Sequence, residues 1–148
     1  MTTRAAVVAE AMTWLGTPYH HSAWIKGKGG GVDCVYLLER VYQAVGLLEN
    51  LSLAPYAPDR HLHSTDELYI QGLQAIGAIS VDQGQPGDAV LIKYGRTMSH
   101  AGILVEPDVL IHAYLRRGVI LTRLGEDPLV KKGGQLRELS FWTLKGLT

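Results

Sequence analysis

Apolar residues recur every three or four positions in the first half of this chain, whereas in the second half they gather into short β-branched and aliphatic runs. Ala5, Val8, Met12 and Leu15 keep the helical period and Thr3 is available as a cap, which predicts a helix over Thr3 to Leu15. Gly16 and Pro18 end it. Thr17 to Gly31 reads as a loop, because Gly27, Gly29, Gly30 and Gly31 make regular structure costly. The helical period resumes after Asp33, where Leu37, Leu38, Val41 and Val45 form a stripe between an N-cap at Asp33 and a stop at Gly46. A polar, proline-bearing link follows from Asn50 to His63. Ser64 and Glu67 then have the spacing of a capping box for a third helix over Ser64 to Ile76.

After Pro86-Gly87-Asp88 the runs Ala89 to Tyr94, His100 to Val105, Val109 to Tyr114 and Val119 to Leu124 predict strands, with a fifth at Leu139 to Leu144. Glu106-Pro107-Asp108 is short enough to make the second and third of these an antiparallel hairpin. Helices first and a meander second is an α+β order. The 148 residues, 47% hydrophobic and 19% charged, suit one domain over 1–148, and no internal repeat interrupts it.

Charge narrows the function classes. Fourteen basic and fourteen acidic residues cancel, so no net field draws the protein to nucleic acid or an anionic membrane. No apolar run approaches the roughly 18 residues that span a bilayer, which argues against membrane insertion. The stretch Ala5 to Ala9 meets Glu10 before it can form a secretory h-region. The expectation is a soluble chain without its own export signal, whose function comes from a local site.

The single cysteine excludes an intramolecular disulfide framework and leaves either an inert core thiol or a reactive one. Cys34 falls in the first turn of a predicted helix, after a glycine-rich loop, where unpaired backbone amides favour a thiolate. Lowering a thiol from about 8.5 to about 5 takes about 4.8 kcal/mol, and a helix end seldom supplies more than about 2. A cationic partner must supply the rest, and histidine is the usual one. His100 and His112 stand on adjacent predicted strands at an even spacing. With a three-residue loop at Glu106 to Asp108 they share a face, so one imidazole can hold the other. Cys34 as nucleophile, with one of His100 and His112 as base and the other as its orienter, is therefore the leading constellation. Tyr19, upstream of the nucleophile, can join the backbone at Cys34 as an oxyanion donor.

Zinc is the competing chemistry, but one cysteine and two histidines give at most a three-ligand open site without paired spacing. No metal or cofactor is expected. His20, His21, His61 and His63 lie on predicted loops, where solvated histidines are the default. Gly27 to Gly31 lacks the Gly-Lys-Ser/Thr that would make it a phosphate loop.

These residues carry a family resemblance. Gly16-Thr17-Pro18-Tyr19, Asp33-Cys34, Pro86-Gly87-Asp88, Ser99-His100-Ala101-Gly102-Ile103 and Ile111-His112-Ala113 occur in the order of motifs that resembles the NlpC family of cell-wall peptidases. The stretch Pro55-Tyr56-Ala57-Pro58-Asp59 and the helix after it look like the phage-tail and gene-transfer-agent branch. The resemblance implies a papain-like α+β fold, with Cys34 as nucleophile, His100 as base, His112 as the third polar residue that orients it, and Tyr19 assisting the oxyanion. It implies a substrate in the stem peptides of peptidoglycan, typically cut between D-glutamate and a diamino acid. It also implies tail-tip or hub proteins as partners and a phage tail as location, reached after synthesis in the host cytoplasm. One departure stands out: the family follows Asp-Cys with Ser-Gly, or Leu-Gly in its phage branch, and here Val35-Tyr36 follows. A tyrosine in the place of glycine narrows the expected cleft. The alternative expectation is a structural tail-tip or tail-assembly subunit that keeps the peptidase fold with altered or lost activity.

Overall fold

The Thr3 hydroxyl accepts the Ala6 N–H at 3.1 Å and opens helix α1, Arg4–Met12, in the computed structural model, which describes residues 2–49 and 67–148. The face that α1 buries is one position off the expected stripe. Val7, Ala11 and Trp14 are buried, while Met12 and Leu15 stay exposed. The choice follows from Trp14, the largest apolar side chain within reach, and from Arg4 on the same face. The Arg4 guanidinium meets the buried Asp88 carboxylate at 2.7 Å.

The predicted loop over Thr17 to Gly31 contains a small ribbon, which corrects that expectation. Strands β1, Trp24–Ile25, and β2, Gly31–Val32, pair antiparallel. Glycine enables this ribbon instead of preventing it: a Cβ on Gly30 would lie 2.1 Å from the Ile25 carbonyl oxygen. Helix α2, Cys34–Ala44, starts as expected, with Asp33 Oδ1 accepting the Tyr36 N–H at 3.0 Å. It ends where Gly46 turns to φ +82°. The link Asn50 to His63 and Ser64 of the proposed capping box lie outside the described residues. Helix α3 spans Leu68–Ala75 and has no side-chain cap from Glu67. That carboxylate instead accepts the Met98 N–H at 3.1 Å, so it ties α3 to the sheet.

The six-stranded sheet comprises β3 (Ile79–Val81), β4 (Ala89–Tyr94), β5 (Thr97–Glu106), β6 (Val109–Tyr114), β7 (Gly118–Arg123) and β10 (Leu139–Thr143). A separate small pair, β8 (Lys131–Lys132) and β9 (Gln135–Leu136), lies between β7 and β10 in the chain. The large sheet has the order β3-β10-β4-β5-β6-β7, antiparallel throughout. Alternation along its strands gives it two apolar faces. Ala89, Leu91, Ala101, Ile103, Ile111 and Ala113 pack with the three helices, and Val90, Ile92, Leu104 and Leu110 pack with Val130. The result is α+β, with α2 laid on β5 and β6. Among the described residues no helix is long and apolar enough to cross a membrane.

Candidate active site

Cys34 is placed by three neighbours. Asp33, its cap, spends its second carboxylate oxygen on the Ser22 N–H at 2.6 Å, which pins the incoming loop. The Val32 N–H donates to Pro18 O at 3.0 Å and the His20 N–H to Val32 O at 3.1 Å. Tyr19 is thereby held beside the start of α2, close enough for the charges of Cys34 and Asp33 to act on its phenol. Burial first, and then those two charges, raise the Tyr19 pKa, so its hydroxyl keeps its proton and remains a donor.

The third neighbour is β5. Its ladder with β6 runs from Glu106↔Val109 to Ile103↔Ile111 and stops. The Leu104 N–H points toward β4, where it meets Asp88 O at 3.0 Å, so with a period of two the Ala101 N–H points the other way. There, past the end of the ladder, it donates to the Cys34 sulfur. The thiol thus lies one residue from His100. Gly102 permits this approach of strands, since a Cβ on it would come 2.6 Å from Ile111 O.

His100 and His112 meet directly, His100 Nε2 to His112 Nδ1 at 2.7 Å. They share a face as the even spacing requires, although not through a three-residue loop. Val109 pairs with Glu106, which leaves two residues in the turn and would reverse the parity. A register shift between Leu104 and Glu106 restores it. His112 Nε2 continues to Thr122 Oγ1 at 2.8 Å. Tyr94 and Tyr114 stand edge-on to the His100 ring at centroid distances of 5.5 and 5.6 Å, which limits how it can rotate.

The electrostatics separate the two groups. His112 is fully buried, and burial lowers its pKa from 6.5 to about 4, so it is neutral at neutral pH. Cys34 is 5% exposed, and burial pushes its thiol up to about 12, with the Asp33 charge acting in the same direction. The Tyr69 hydroxyl, the Ala101 N–H and the cysteine's own N–H pull it down by less. The backbone at the helix start still favours thiolate at Cys34, but desolvation of the sulfur outweighs it.

Tyr36 turns toward the ribbon, its ring 5.2 Å from that of Trp24, and the Arg40 guanidinium lies 5.6 Å from the Trp24 ring centroid. Behind the cysteine, Tyr69 and Leu73 of α3 close an apolar pocket with Val35, Leu38, Leu91 and Ala101. Among the described residues no group of three or more metal-ligating side chains forms. Thr122, Tyr69 and Glu67 carry no site signal in the sequence. A lone threonine or tyrosine has no pattern, and the spacing of Glu67 from Ser64 points to a helix cap alone.

Known proteins resemble this chain in sequence and in fold. The model of the NlpC/P60 family matches residues 16–134. A probable endopeptidase p60 of Listeria grayi is 31% identical over 109 residues, which is 74% of this chain and 18% of that protein. The NlpC/p60 domain of the peptidoglycan hydrolase SagA superposes with a TM-score of 0.58 at 22% identity, over 93% of this chain and 96% of that one. The P60 domain of an antigen from M. avium subspecies paratuberculosis gives 0.57 at 21% identity, over 95% and 93%. At those identities the two structures speak for the fold, which is the papain-like α+β fold.

Proposed function

This chain belongs to the NlpC/P60 family, and on that premise we propose that it is a cysteine peptidase that hydrolyses an amide bond in the stem peptides of peptidoglycan. The observation that carries the reading is the His100–His112 pair, placed one residue from the backbone amide that touches the Cys34 sulfur. Releasing the Cys34 proton to solvent leaves a lone buried anion. Passing it to His100 leaves an ion pair, which burial penalises far less. His100 Nε2 is engaged by His112, so Nδ1 is the nitrogen that takes this proton. The thiolate attacks the amide carbonyl, and the Tyr19 hydroxyl and Cys34 N–H donate to the oxyanion. His100 then gives its proton to the departing amine. In the second half His100 takes a proton from water, whose hydroxide opens the thioester and restores the thiol.

The bond between D-glutamate and the diamino acid is the proposed target, and a phage-like tail the proposed location, with tail-tip or hub proteins as partners. The segment Pro55 to Asp59 supports the tail reading through its resemblance to that branch. A second reading, a tail subunit without activity, draws on Tyr36 at a glycine position of the family and on the low exposure of Cys34. Purified peptidoglycan digested with the wild type and with Cys34→Ala decides between them. Fragments with a new D-glutamate carboxyl and a new diamino-acid amine, from the wild type alone, are expected. An intact sacculus beside protein that co-purifies with particle tails would favour the structural subunit instead.

A further inference from the structure

Thr122 is buried in β7, opposite Leu110 in register, where valine would fill the same space. Its hydroxyl nevertheless bonds to His112 Nε2 at 2.8 Å, at the end of a line that begins at His100. We propose that Thr122 is a positioning residue: it fixes the tautomer of His112 and, through it, the protonation that His100 can adopt. The proposal rests on the reading of Cys34 and His100 given above.

A neutral imidazole has one N–H and one lone pair. When His100 holds the proton from Cys34, both of its nitrogens are donors, so His112 Nδ1 must accept. The single hydrogen of His112 then sits on Nε2 and needs an acceptor, which Thr122 Oγ1 supplies. An apolar side chain at 122 leaves that N–H buried without a partner. His112 escapes by moving its hydrogen to Nδ1, and this N–H then faces His100 Nε2–H as soon as His100 is protonated. The imidazolium loses its acceptor and the ion pair with Cys34 is depopulated.

The other polar groups around the pair do not replace the threonine. Tyr94 from β4 and Tyr114 from β6 stand edge-on to the His100 ring, and Tyr114 also flanks His112. Arg137 lies over Tyr94. Asp127, which follows β7, raises the His112 pKa, an effect smaller than that of burial. These surroundings tune charge, whereas Thr122 supplies the acceptor that lets the His112 hydrogen sit on Nε2 when Nδ1 must accept from His100.

Nitrogen-15 spectra of the imidazoles in the whole protein test this, together with kinetics of Thr122→Val and Thr122→Ser on an isolated stem peptide. The wild type should show the His112 hydrogen on Nε2. Thr122→Val should move it to Nδ1, lower kcat about tenfold or more with KM changed less than about twofold, and shift the alkaline limb of the kcat/KM profile to lower pH. Thr122→Ser should restore all three. A wild-type spectrum with the hydrogen on Nδ1 overturns the proposal even if Thr122→Val does not fold. A folded Thr122→Val with the wild-type tautomer and pH limb also overturns it. The spectrum needs no turnover, so a tautomer shift in a protein that never cleaves peptide would sink the peptidase reading and keep the positioning role.

Discussion

The histidine half of the site is fixed by strand register, whereas the cysteine half is assembled from elements that no ladder joins. His100, His112 and Thr122 stand on three neighbouring strands and are linked at 2.7 and 2.8 Å. Cys34 starts a helix, with Tyr19 of a loop near enough to feel its charge, and its sulfur meets Tyr69 from α3 and Ala101 from the part of β5 that lies beyond the ladder with β6. The first half is preorganised, and its buried member His112 is neutral at neutral pH. The second is desolvated and holds its proton. The contrast teaches that the helix end does not make this thiol a nucleophile. From about 12 to below the ordinary 8.5 or so is roughly 5 kcal/mol, against about 2 from a helix end. The difference has to come from a charge that the histidine half supplies.

The most severe break removes the sulfur. Cys34→Ala should reduce the release of new amines from peptidoglycan by a factor on the order of 10⁴ or more, to background, while the melting curve shows a folded protein. Breaking the other half should cost nearly as much: His100→Ala, losses on the order of 10² to 10⁴ in kcat/KM, and His112→Ala somewhat less. Since His112 acts through His100, the double variant should be no slower than His100→Ala alone. Losses that multiply in the double variant would mean that the two act independently.

The burial of His112 also has a signature without substrate. The unfolded chain binds this proton below 6.5 and the folded one only below about 4. Stability is therefore complete above pH 6.5 and falls as pH drops toward 4, by about 3 kcal/mol in denaturant titrations. His112→Gln should flatten that fall. The smallest effect concerns the cysteine half: Tyr69→Phe removes a hydroxyl that favours the thiolate. One hydrogen bond of about 1 kcal/mol should slow alkylation of Cys34 about fivefold at pH 7. An unchanged rate would mean that Tyr69 only packs.

Much of this was legible in the chain because it is local. Thr3 and Asp33 cap as their side chains predict, two strands begin and end where their aliphatic runs do, and the even spacing of His100 and His112 places them on one face. What the chain does not display depends on its partners. The buried face of α1 was decided by Trp14 and by Arg4 reaching Asp88, two contacts with distant elements. The ribbon at Trp24 to Val32 was masked by glycines that serve close approach. A register shift in β5 did what the hairpin loop was expected to do. The rise in the Cys34 pKa comes first from tertiary burial of its sulfur, which no pattern around Asp33-Cys34 encodes, and only second from the Asp33 charge beside it.

The dependence of Cys34 on His100 is measured most directly by alkylation with iodoacetamide from pH 5 to 10, in the wild type and in His100→Ala. The wild type should titrate below the value of about 8.5 expected for an unfolded thiol. His100→Ala should move the inflection above it, toward the region that burial alone dictates. Identical profiles for the two proteins, both inflecting above that of the unfolded thiol, would contradict activation of Cys34 by the histidine pair.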